Sequence, residues 1–159
     1  MTVKKVFTTW GRVRANFGGV AAADQYCMDS AADGGLGGNW VAFVKDTGSG
    51  EPSDRIMDVG AWYLHRTGIK VFNSKADITS ATTPQSIIGL DEDGNALRAS
   101  VQEPDVLSWI GDGNGSCLNW SSSSPGDSAR CGNVRDTTNW RNFGTCQCNE
   151  QYHLYCFEQ

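Results

Sequence analysis

The chain has no apolar run long enough to cross a bilayer, only two histidines and four prolines, and fewer basic than acidic residues, 13 against 18 in 159. Each shortage removes something. A membrane-spanning helix needs about 20 consecutive apolar residues, so membrane insertion is not expected. A net charge of -5 offers no basic surface able to release counterions from a polyanion, which sets aside nucleic acid and heparin recognised by bulk electrostatics. His65 and His153 lie in segments that read as strands, and neither sits in a Gly-x-Ser-x-Gly or His-x-x-x-His setting, so both read as packing residues. No Cys-x-x-Cys pair is present. Cys146-Gln147-Cys148 has one intervening residue, a strained spacing for a redox bridge of its own. No catalytic residue, metal ligand set or cofactor motif is expected from what remains.

What the chain does have is six cysteines, three of them after position 145, and 19 glycines among short Ser-, Thr- and Asn-rich segments. An even count in that texture points to oxidised bridges and to an extracellular or cell-surface setting. The length predicts one domain over residues 1–159. No signal peptide precedes the first strand, so the expectation is a domain cut from a longer exported protein.

The closing segment carries the strongest pattern. Tyr152, Leu154 and Cys156 fall on one parity and His153, Tyr155 and Phe157 on the other, as in a strand buried on both faces. A bridge from it to Cys27 would close the longest loop and constrain the unfolded chain most, by about 3 to 5 kcal/mol in the chain-entropy treatment. That bridge would bring the two ends of the chain together.

Upstream, Lys4 to Trp10 reads as a first strand and Asn16-Phe17-Gly18-Gly19 as the turn after it. From Val20 to Ala32 the apolar positions Val20, Ala23, Cys27 and Ala31 recur at helical steps, with Gly34-Gly35 as the stop. Asn39 to Val44 is a second strand, and Ser53 to Ile56 a single helical turn. Trp62 to His65 and Ile69 to Phe72 flank a hairpin turn at Arg66-Thr67-Gly68. Ala76 to Pro84 reads as irregular. Asp91-Glu92-Asp93-Gly94-Asn95 invites a calcium reading, but the Asp-Gly step between Ile87-Ile88 and Ala96-Leu97 reads as a hairpin turn, and the spacing and closing Glu of an EF-hand are missing. Val106 to Gly111 is a short strand, followed by a long Gly-, Asn- and Ser-rich loop broken by Cys117, Trp120, Cys131 and Trp140. Long braced loops of this kind usually carry function.

Taken together, Gly18 to Cys27, Gly35 to Phe43, Trp109-Ile110-Gly111 and His153 to Gln159 resemble the C-type-lectin-like fold, and most closely its bacterial surface branch related to the endostatin, or collagen NC10, fold. The resemblance implies an α+β domain with a mixed antiparallel sheet, one or two helices, adjacent termini and a long disulfide-braced loop. It implies the bridges Cys27–Cys156 and Cys117–Cys148, leaving Cys131–Cys146 as an added local one. The residues themselves leave an exchange of Cys146 and Cys148 open. The departures matter as well. Glu103-Pro104-Asp105 precedes Trp109-Ile110-Gly111, the wrong place for a calcium triplet, and Asn139-Trp140-Arg141-Asn142 lacks the acid such a site needs.

The implied role is an adhesin-like domain that binds a glycan or a cell-surface protein without catalysis, through the loop between Trp109 and Cys146. The candidate site is Trp120, Asn133, Asp136, Asn139, Trp140, Arg141 and Asn142, with a tryptophan stacking on a sugar face while the polar residues bond its hydroxyls. The competing reading puts Trp109, Trp120 and Trp140 in the core beneath the loop. The other functional class is a protein-interaction or structural tip, trimeric through an upstream fibre. An enzyme would need two facing carboxylates from among Glu51, Asp54, Asp91, Glu92 and Asp93, and no spacing supports that.

Overall fold

Small residues decide where the first helix forms and how close it lies to the sheet. The structure is a computed structural model that describes residues 3–80, 82–111 and 116–159. Strand β1 (Lys4–Thr8) and the two-residue β2 (Val13–Arg14) lead to α1 (Val20–Asp33), which begins after Gly18 and Gly19, both at positive φ. Ala23, Cys27, Ser30 and Ala31 form its buried stripe. With so little side-chain bulk there, α1 lies close along β3 (Trp40–Ala42). Asp24 adds a polar tie: its carboxylate accepts from the Ala42 backbone N–H at 2.9 Å and from Arg55 Nη2 at 2.6 Å. Arg55 ends the 3-10 turn Pro52–Arg55.

A hairpin of β4 (Trp62–Leu64) and β5 (Lys70–Phe72) follows, turning at Arg66-Thr67-Gly68. The stretch read as irregular instead opens with a short helix, α2 (Lys75–Thr79), which buries Ile78. At five residues it is too short to show a 3.6 periodicity. The acidic segment forms a tight turn: Asp91 Oδ1 accepts from the N–H groups of Asp93 and Asn95, and Leu90 pairs with Ala96.

Strand β6 (Leu107–Trp109) then pairs with β7 (Ser128–Asn133), and β7 with β8 (Gly144–Gln147). Part of the expected long loop is therefore sheet. The sequence hid it because β7 reads Ser-Ala-Arg-Cys-Gly-Asn, a composition poor in the β-branched and aromatic residues that mark strands. Between β6 and β7, Ser116 to Trp120 make a left-handed helical turn, with φ from 34° to 62°. Such a turn costs roughly 1–2 kcal/mol per residue. It is pinned by the Cys117–Cys148 bridge, by Trp120 Nε1 donating to Lys45 O at 2.9 Å, and by Asn119 Oδ1 accepting from Thr47 N at 3.0 Å.

The last strands are β9 (Gln151–Tyr152), paired with β2, and β10 (Tyr155–Glu158). The main sheet has the order β3-β10-β1-β4-β5, antiparallel except for β1 against β4. The fold is thus α+β, with few helices and mixed, mainly antiparallel sheets. Pleating sends alternate residues to two cores. Phe7, Trp40, Ala42 and Cys156 face α1, while Val6, Phe43, Tyr155 and Phe157 face a second cluster with Trp62, Phe72 and Trp140. Buried indoles find backbone acceptors, as polar tips in a core must: Trp62 Nε1 donates to Glu158 O and Trp109 Nε1 to Val13 O, each at 2.9 Å.

The bridges are Cys27–Cys156, Cys117–Cys148 and Cys131–Cys146, the pairings the resemblance implies. Their sequence separations of 129, 31 and 15 rank their effects. Replacing Cys27 and Cys156 together by Ala should cost about 4–5 kcal/mol, against about 3 for Cys131 and Cys146, since loop-closure entropy grows with loop length. Denaturant midpoints of the two double variants test this. Equal losses would mean that native contacts, not chain entropy, set the difference.

Candidate functional site

Where β3 runs out beside the end of β6, a cleft of about 300 Å³ opens. Its base is backbone. Lys45 N–H donates to Ile110 O at 2.9 Å, and the N–H groups of Ile110 and Gly111 both reach Arg130 O at 2.9 Å. Gly111 sits at φ +90°, and a Cβ there would lie 2.6 Å from Lys45 O and 3.0 Å from the Trp120 ring. This position needs glycine both for its dihedral and for its room.

Lys45, Glu51, Arg130, Arg141 and Asn142 present polar groups to the cleft. Arg130 rises from β7 and donates to Asn142 Oδ1 at 2.7 Å, linking the two side chains. Arg141 is half-buried: Nη1 donates to Ile78 O at 2.6 Å, and its guanidinium lies 5.8 Å from the ring centres of Phe43 and Trp140. Burial pulls its pKa down, with Glu51 acting in the opposite sense. Lys45 pairs with Glu51 at 3.0 Å, but the Glu51 side chain is 61% exposed, so this bond is weak and easily exchanged. Among the described residues neither Arg130 nor Arg141 has a carboxylate partner. Among the described residues three cations face one carboxylate here, in a chain whose net charge is -5. The chemistry available is the capture of a carboxylate or similar anion by guanidinium forks, with the Asn142 amide left for hydroxyls.

The seven residues expected to form the site do not all meet. Arg141 and Asn142 line the cleft. Trp120 and Trp140 do not offer a stacking face: they are 0% and 3% exposed. Trp120 stacks on Phe17 at 4.8 Å, edge-on to Trp109, and Trp140 packs among Phe43, Phe72 and Tyr155. Both fill the core, as the competing reading held; their faces were needed to bury the underside of the loop. Asn133, Asp136 and Asn139 are spent on a turn of their own. Asn133 Oδ1 accepts from Arg135 N, Asp136 Oδ1 from Thr138 N, and Asp136 Oδ2 from Asn139 Nδ2. Those bonds hold the Asp136 carboxyl below its usual range, Asn139 contributing most.

Lys45, Glu51 and Arg130 were missed. No spacing links them, since they reach the cleft from separate segments, and only the pairing of β6 with β7 brings Arg130 to it. His65 and His153 are buried. His153 lies between Thr9 O at 2.7 Å and Glu103 Oε1 at 2.8 Å, which engages the Glu of the Glu-Pro-Asp triplet. Among the described residues no group of three or more His, Cys, Asp or Glu side chains gathers as a metal ligand set.

No protein-family model matches the chain, and no curated protein matches it.

Two variants separate packing from recognition. Trp140→Ala should cost about 3–5 kcal/mol of stability, as truncation of a buried tryptophan does, and thermal or denaturant unfolding reads it directly. A melting temperature unchanged from wild type would return Trp140 to the surface. Gly111→Ala should also lower stability, and it should disturb the backbone amides of Lys45, Ile110 and Arg130 in an NMR fingerprint while leaving β4 and β5 in place.

Proposed function

We propose that the chain is a non-catalytic, extracytoplasmic ligand-binding domain of the C-type-lectin-like fold, in its endostatin-like branch, and that it binds an acidic glycan in the Lys45–Arg130–Arg141 cleft. The observation that carries this reading is the local reversal of charge. Arginines without carboxylate partners among the described residues, one bonded to Asn142 and one to Ile78 O, are held in a net-acidic chain within the segment that the fold resemblance marks as the binding region. Preformed donors spare the entropy of ordering them on binding.

The fold assignment draws on the helix-to-last-strand bridge, the second bridge that braces the segment after β6, and the pairing of β1 with β10 that brings the chain ends together. The extracytoplasmic setting draws on three disulfides. Calcium has no part in the proposal: Asp91 is engaged in its own turn and Glu103 with His153. The adhesin role follows from a binding face on a braced, export-type domain.

A glycan array probed with the oxidised domain, once with calcium and once with chelator, tests this. Glycans bearing uronic or sialic-type carboxylates should bind in both arms, more weakly as salt rises. Arg130→Ala should weaken them by about 1.5–3 kcal/mol, the worth of a hydrogen bond to a charged group. Hits that vanish with chelator would replace this reading with a metal-dependent lectin. An absence of carboxylated hits would transfer it to a protein partner.

A further inference from the structure

Five of the six tryptophans are 3% exposed or less; Trp10 is 65% exposed. Its five counterparts are all buried, and this one is not on a loose segment. Its backbone N–H donates to Glu92 Oε2 at 2.7 Å. On one side Thr9 N donates to Leu154 O at 2.9 Å, and Thr9 Oγ1 reaches over to Gly11 O at 2.8 Å. On the other, Gly11 lies so close to the Tyr26 hydroxyl that a Cβ would collide with it. The indole is thus displayed from a fixed point.

It borders a cleft of about 450 Å³ that also includes Arg12, Arg98, Ser100, Glu103 and Gln151. Glu103 is held at the back by His153 and stands 3.9 Å from Arg12. Arg98, Ser100 and Gln151 are exposed, and the Arg98 and Gln151 side chains have no protein partner among the described residues. One rigid aromatic face ringed by polar side chains is unlike a surface for an apolar helix or a lipid, which would need contiguous apolar area. It matches a ring with one apolar face and a hydroxylated rim.

We propose that Trp10 is the platform of a second saccharide site, on which the C–H face of a hexopyranose stacks while its hydroxyls bond Arg98, Ser100, Gln151 and the Oε2 edge of Glu103. Recognition here needs no charge on the ligand. The site is separate from the cationic cleft: Val106 lines this one, Ile110 and Gly111 line the other, and four residues of extended chain span about 13 Å. It goes beyond the acidic-glycan reading and does not depend on it.

Because Trp10 alone among the tryptophans is exposed, it can be watched selectively. The methyl pyranosides of glucose, galactose and mannose are added in turn to the oxidised protein, reading acrylamide quenching of tryptophan fluorescence and the indole N–H resonances. At least one should shield the quenchable tryptophan and move a single indole resonance, the one missing in Trp10→Ala. Trp10→Ala should weaken that pyranoside about tenfold or more, about 1.4 kcal/mol, at an unchanged melting temperature. Trp10→Phe should retain part of the affinity, and Arg130→Ala all of it. The proposal is overturned if none of the pyranosides moves an indole resonance, if Trp10→Ala binds as wild type, or if only phosphatidylcholine vesicles protect the indole.

Discussion

Strand β10 lies between β3 and β1, is joined covalently to α1, and fills a core on each side. Leu154, Tyr155, Cys156 and Phe157 are all fully buried. Each contact constrains another. Cys156 fixes the distance of the helix from the sheet, with Cα atoms 5.6 Å apart. Tyr155 carries its hydroxyl to Trp140 O at 2.7 Å, in surroundings that push its pKa far up by desolvation. Through that bond, the stretch carrying Arg141 and Asn142 is hung from β10. The cationic cleft is positioned by the core beneath it rather than by its own loop.

How much of this could be read from the sequence depended on range. Alternation in Tyr152 to Phe157, the Ala23, Cys27 and Ala31 stripe, the Arg66-Thr67-Gly68 hairpin and the Asp91 to Gly94 turn are local patterns, and each appears where it was expected. Strand β7 was lost because its residues have no strand-like chemistry; it is a strand only because β6 and β8 supply its hydrogen bonds. The parallel pairing of β1 with β4 leaves no mark at all in either segment.

The site was harder, for a related reason. A tryptophan in a polar loop can cap the core or face solvent, and the sequence around Trp120 or Trp140 is the same in both cases. What decides is whether Phe17, Phe43 and Phe72 arrive from elsewhere to cover it. Trp10, placed at the end of a first strand, was passed over for the converse reason: nothing in Thr8-Thr9-Trp10-Gly11 says that the strand stops at Thr8 and lets the ring swing clear. Arg141 and Asn142 were placed in the site and line the cleft, yet their partner Arg130 is visible only in three dimensions.

The antiparallel pairing of β1 with β10 sets Lys4 beside the last residue, Lys4 Nζ donating to Gln159 O at 2.9 Å. A tensile load applied through both ends would therefore open this pair bond by bond, like a zipper, instead of shearing it all at once. The peeling has a hard stop. From one end it reaches Cys156 and from the other Cys27, and these are the same covalent link. Force then runs through sulfur, and residues 28–155, with the cationic cleft among them, lie outside the line of tension.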